Sequence, residues 1–279
     1  MWPIHLINSA LSLWGDVEYS IFQLLQKNPA EFSEAGWRAV VSICDALRYI
    51  GTALLVLFFG INVLRNVTNT HELRRPETVF RLIFKFIIAK TLVLRAPELL
   101  MAFAKIGVGI VKAITSQYNM IKHHYTMESF IPNYNIVETN VMAAKWYEDV
   151  PIGIIAVIGF VVIVVLSITT IITVYGKFFK MYVWAALAPI PLSSLAGDGT
   201  ASVGWQFIKG FIGILLESAV IALAIVFFSV LSPDIKFAMT EKGCVSSFAV
   251  AVVTIIFRML LMIGIIKTSS NIVKEMTGL

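Results

Sequence analysis

Charge is what this chain has least of. Asp, Glu, Lys and Arg make up 14% of its 279 residues, against about 25% in ordinary soluble domains. Apolar residues reach 58% and gather in long runs, which excludes a pair of soluble domains and puts the chain in the membrane class. Cysteine is nearly absent: Cys44 and Cys244 adjoin apolar segments, so there is no disulfide framework, and both are read as unpaired, with one distant bridge as the alternative. Nor is the opening stretch expected to be a secretory leader. The opening "MWPIHLINSALSLWGDVEYSIFQLLQKN" has no basic start, and Asp16 and Glu18 stand where an apolar run should continue.

Chemistry-bearing patterns are equally thin. "GDGTASVG" (197–204) lacks the Gly-Lys-Ser/Thr ending and the preceding strand of a phosphate loop. His123 and His124 are adjacent, with no Cys or further His near in sequence, so a solvated loop is expected there rather than a metal site. No Ser/His/Asp or paired-carboxylate arrangement stands out. The expectation is a protein that is not an enzyme and carries no cofactor.

What the chain has is periodicity and length. Ile4, Ile7, Leu11, Trp14, Ile21 and Leu25 recur at alternating three- and four-residue steps, apart from Glu18. This predicts an amphipathic helix within residues 1–30. It either lies in the membrane interface or packs on a neighbouring subunit. Residues 31–279 then form the transmembrane domain. A crossing needs about 20 apolar residues, and Ile43–Leu64, Pro151–Tyr175, Phe207–Leu231 and Ser247–Ile266 qualify. Glu77–Gln117 is longer and more charged. We read it as one tilted span over 79–117, kinked at Pro97, with two crossings as the alternative. The fold class is all-α: a polytopic helix bundle of about five spans.

Sidedness follows from the charges. The connection Arg65–Lys85 holds Arg65, Arg74, Arg75, Arg81 and Lys85 against Glu72 and Glu77. The loop 118–150 holds Lys122 and Lys145 against Glu128, Glu138, Glu148 and Asp149, and the N-terminal segment is also acidic. Lys and Arg mark the cytoplasmic side, so the N-terminus and the loop 118–150 are expected outside and the Arg-rich connection inside. The third span then ends inside, at Lys177 and Lys180.

Next comes "VWAALAPIPLSSLAG", residues 183–197, too short to cross and broken by Pro189 and Pro191. Irregular backbone at membrane depth survives only inside protein or beside water. Two readings stay open. A re-entrant elbow through Ala188, Pro189, Pro191 and Gly197 gives five spans and a cytoplasmic C-terminus; a kinked sixth span reverses everything after it. Lys267 and Lys274 against Glu275 favour the elbow. Ala185, Ala186, Ala188, Gly210 and Gly213 allow close helix approach around it.

These residues carry a resemblance. "YGKFFKMYVWAALAPIPLSSLAG" followed by "GWQFIKGFIGILLESAVIALAIVFF" resembles the TrbL-type polytopic subunit of conjugative type IV secretion systems, in the short form of Gram-positive conjugative elements. The match rests on Tyr175-Gly176-Lys177, Tyr182, Ala188-Pro189-Ile190-Pro191 and the entry Trp205–Phe207. Less specific support comes from the N-terminal helix, "NPAEF", and the basic loop running into a long helix. The resemblance implies a bacterial cell-membrane, pore-forming subunit that is not an enzyme. It further implies several copies arranged as a ring, work beside other secretion subunits including cytoplasmic ATPases, and help in moving single-stranded DNA with its relaxase, or protein substrates. The outside loop, with its histidines and aromatics, departs from the family pattern. A stand-alone secondary transporter is the competing reading, but the halves show no internal repeat and no second broken segment.

Two intramembrane charges stand out: Glu217 and Arg258. Counting along helices puts them at similar depth, and we expect a direct ion pair, serving either as a clamp between helices or as groups facing a water-filled path. Lys90, Arg95, Lys105 and Lys112 recur along the second span as candidate substrate-path cations. Against that role, Arg95 and Glu98 are spaced for an i,i+3 pair.

Overall fold

The structure, a computed structural model, describes residues 1–68, 76–117, 125–131, 134–231 and 243–278. Glu72, Arg74, Arg75, Lys122, His123 and His124 lie outside the described residues. The elements in chain order are α1 (Trp2–Leu25), α2 (Pro29–Phe32), α3 (Glu34–Thr68), α4 (Pro76–Leu94), α5 (Ala96–Gln117), α6 (Met127–Phe130), α7 (Tyr134–Met142), α8 (Trp146–Leu187), α9 (Pro189–Ser193), a 3-10 turn (Ser194–Ala196), α10 (Ala201–Leu231) and α11 (Cys244–Thr277). No strand occurs among the described residues. Five helices are long and apolar enough to cross a membrane: α3, α5, α8, α10 and α11. The expected all-α polytopic architecture is what forms.

The boundaries differ from the sequence reading in three places. The long second span is two helices, with Arg95 at the break and Pro97 in the first turn of α5, where a missing N–H costs least. The backbone ladder still bridges the break, through Arg95 N–H to Thr91 and Leu99 N–H to Arg95. Of the two, only α5 has the apolar length of a crossing. Secondly, α8 begins at Trp146 and continues to Leu187, about 63 Å, well past the apolar run ending at Tyr175. Thirdly, the loop 118–150 contains α6 and α7. Thr126 caps α6 in a reciprocal box with Ser129.

The chain divides into two compact units. The first comprises Met1–Gln26, Val111–Tyr175 and Ala219–Ser269. Here α1 buries the stripe foreseen from its spacing, Ile4, Ile7, Leu11, Trp14, Ile21 and Leu25. Asn8 Oδ1 accepts the N–H of Met127 at 2.9 Å, tying α1 to α6. Glycines on α8 admit close neighbours: a Cβ on Gly159 would meet Val252 at 2.7 Å and Ile7 at 3.0 Å.

Glu18 lies on the same buried stripe and is 4% exposed. Burial pushes its carboxyl up to about 7, a rise that a hydrogen bond with Tyr125 partly offsets. In the unfolded chain this group ionises near its ordinary 4.5. The folded state therefore holds the proton between those values and loses stability as pH climbs through them. Above pH 7 the penalty is about 3 kcal/mol. Glu18→Gln removes it. Thermal unfolding in detergent is expected to show equal stability at pH 4 and a more stable variant at pH 8.

The second unit comprises Lys27–Ile110, Gly176–Ser218 and Ser270–Leu279. Its N-terminal corner is α2, closed by Asn28 and Glu31 in a capping box. The Tyr182 hydroxyl donates to the Pro29 carbonyl at 2.7 Å, and Phe32 stacks on Phe178 at 4.2 Å between ring centroids. So "NPAEF" serves to seat the C-terminal part of α8.

Candidate functional site: the elbow and the buried charges

Helix α8 ends because two prolines follow it. Pro189 opens α9, where its fixed φ suits a first helical position. The chain then tightens into the 3-10 turn, and Gly197 leaves it in extended conformation. Local hydroxyls satisfy the freed carbonyls: Ser193 donates to Ile190 at 2.6 Å, Ser194 to Pro191 at 2.7 Å and Thr200 to Ser194 at 2.9 Å. Ala188, Pro189, Leu192, Ser193, Ala196 and Gly197 are buried, and Pro191 is half-buried. The elbow is thus sheltered by protein, as its backbone requires.

Its walls are α3 and α4. Gly51 of α3 lies so near Pro189 that a Cβ would come within 2.7 Å of its carbonyl oxygen. A Cβ on Gly197 would come within 3.3 Å of the Phe58 carbonyl oxygen. Asn62, 3% exposed, donates to the Ala196 carbonyl at 3.3 Å. From α4, Lys85 forms an ion pair with Asp198. That hydrogen bond, with charge from Lys85 and Arg81, holds the Asp198 carboxyl below its ordinary range. The Arg65 side chain borders Gly199. The described part of the Arg-rich connection and the loop after the elbow therefore share one end of this unit.

Beyond the elbow, α10 returns antiparallel to α8. Trp184 stacks on Phe207 at 5.3 Å, and a Cβ on Gly210 would strike the Trp184 ring. Further along both helices Lys177 Nζ lies 3.1 Å from Glu217 Oε1, with side chains 9% and 7% exposed. The chain thus comes back on the side where α8 ends.

Each of the two intramembrane charges has a partner within its own unit. Glu217 is engaged by Lys177, two residues past Tyr175. Arg258, 1% exposed, donates to the carbonyl of Phe130 in α6, and its guanidinium lies 5.9 Å from the Phe130 ring centroid. The loop 118–150 thus sends a buried turn, Met127, Phe130 and Ile131, to an arginine within α11. Sequence reasoning missed both partners. The capping box at Thr126–Ser129 was the available signal for α6. Of the candidate path cations, Lys90, Arg95, Lys105 and Lys112 are all exposed, and Arg95 lies 4.0 Å from Glu98.

Five apolar helices with a protein-sheltered break between two antiparallel ones define a multi-pass membrane protein. Residues 18–189 match the family described as TrbL/VirB6 plasmid conjugal transfer like protein, and the chain belongs to that family. It is accordingly a membrane component of conjugative transfer machinery, working with other subunits. No curated protein and no solved structure matches the chain significantly.

Proposed function

We propose that this protein is a structural, pore-forming subunit of a conjugative type IV secretion machine, assembling as several copies in the bacterial cell membrane. In this reading it helps translocate single-stranded DNA bound to its relaxase, or protein substrate, and catalyses nothing itself; cytoplasmic ATPases supply the energy. The family match over residues 18–189 carries the reading. Apolar surface supports it. Ile43, Ile50, Val56, Leu57, Ile61 and Leu64 of α3 are exposed, and only 17% of that helix's apolar window is buried, against 61% in α10. Lipid covers some such faces; neighbouring copies cover others.

By the distribution of Lys and Arg, the N-terminus and α6–α7 lie outside, and the elbow and C-terminus lie inside. Lys105 and Lys112, two helical turns apart on one face of α5, are the cations best placed along a path for phosphate. Arg95, held near Glu98, is less so.

The test is the mass of the assembly in mild detergent, paired with transfer frequency in a donor lacking the native protein. A closed ring of several copies that restores transfer is expected. A monomer or dimer would point to a stand-alone transporter.

A further inference from the structure

In the second unit a cleft of about 180 Å³ opens between the ends of α8, α10 and α11. Its lining includes Lys180, Trp184, Gln206, Glu217, Ser270 and Lys274. Small residues make the room: Gly210 and Gly213 give α10 no bulk on this side, and the Trp184 ring forms a wall. Glu217 does not make the cleft acidic, because the ammonium of Lys177 neutralises it at 3.1 Å. Among the described residues, neither Lys180 nor Lys274 has a carboxylate within ion-pair distance, and both are exposed. The rim therefore presents two uncommitted cations beside the amide of Gln206 and the hydroxyl of Ser270.

The level of the cleft fixes its medium. The apolar run of α8 ends at Tyr175, and Lys177 and Lys180 follow at once. Phe179 and Trp205, 70% and 58% exposed, face outward beside it. Aromatic side chains with lysines at the end of an apolar run mark the boundary between hydrocarbon and headgroups. Basic pockets between spans at that boundary recognise phosphate-bearing headgroups. The volume is below that of pockets for drug-sized ligands, and it suits one phosphodiester with its glycerol.

We propose that this cleft is a binding site for the headgroup of an anionic phospholipid. Lys180 and Lys274 hold the phosphodiester, Gln206 and Ser270 bond the glycerol hydroxyls, and the acyl chains lie on the exposed apolar flank of α8. The site rests on the membrane reading alone, and holds or fails independently of pore formation or oligomer size.

The experiment uses the full chain, reconstituted in nanodiscs of equal phosphatidylglycerol and phosphatidylcholine. Retained lipid is counted by native mass spectrometry after stepwise delipidation. Wild type is expected to keep phosphatidylglycerol selectively. Lys180→Gln with Lys274→Gln is expected to lower that retention about tenfold or more. Lys145→Gln with Lys267→Gln removes the same charge outside the cleft and is expected to change nothing. The proposal is overturned if both double variants lose lipid equally, or if phosphatidylcholine is kept as well by wild type. Displacement by millimolar inorganic phosphate would make it a free-anion site, and displacement by a single-stranded oligonucleotide a nucleic-acid site; either sinks the lipid assignment.

Discussion

Glu217→Gln is expected to destabilise the protein by about 3–5 kcal/mol, because it strands the largely buried Lys177 ammonium without its counter-charge. Burying two charges costs several kcal/mol each, and their attraction recovers this only while both are present. The prediction separates a clamp from a water-lined path. Groups facing water would reorganise around the lost charge, and stability would hardly change. Removing both charges distinguishes the two further. Lys177→Met combined with Glu217→Leu leaves no unpaired charge and fills similar volume, so stability is expected to return to near wild type. Thermal unfolding in detergent and the fraction of monodisperse protein measure both variants. A single substitution as mild as the double one would show that the pair is solvated.

Gly51→Val is the second large effect, and it tests the elbow. The Cβ of any residue at 51 would press on the Pro189 backbone, at 2.7 Å from its oxygen and 3.0 Å from its carbonyl carbon. Backbone in a proline-fixed turn cannot step aside as a side-chain tip can. A branched residue should cost about 3 kcal/mol, at the upper end of overpacking, and release α9 from α3. Gly60, on the same helix, has nothing within 4 Å of a built Cβ. Gly60→Ala is expected to be neutral or slightly stabilising, since alanine favours helix by up to about 1 kcal/mol. Protease cleavage near the elbow should rise in the first variant and not in the second. Equal behaviour would mean that the α3–α9 approach contributes nothing.

The contrast between the elbow and the charge partners says what a sequence of this kind discloses. The elbow was legible because Pro189 and Pro191 break a ladder whatever surrounds them, and lipid forbids such a break unless protein shields it. The α1 stripe was legible for a similar local reason, its three- and four-residue spacing. Glu18, the one polar residue at a stripe position, sits on the buried face as that spacing requires. The partner of Glu217 was hidden because the spans were bounded by apolar length, which stops at Tyr175 and says nothing of how far the helix runs on. In fact α8 continues to Leu187, so Lys177 sits inside a helix, facing α10. The partner of Arg258 was hidden because α6 is a four-residue turn in a loop, too short to carry a period. Local rules locate breaks and faces; long-range pairing depends on where helices stop.

The chain turns back at the elbow, with α8 and α10 antiparallel, and the proposed topology puts the segment after Gly197 on the cytoplasmic side with the basic connection. Ser202 is exposed near the start of α10, and Ser202→Cys in an otherwise cysteine-free chain reports on it directly. With a membrane-impermeant maleimide, labelling is predicted in inside-out vesicles and absent in intact cells. Labelling from the outer face alone would contradict the account and make the elbow part of a sixth crossing.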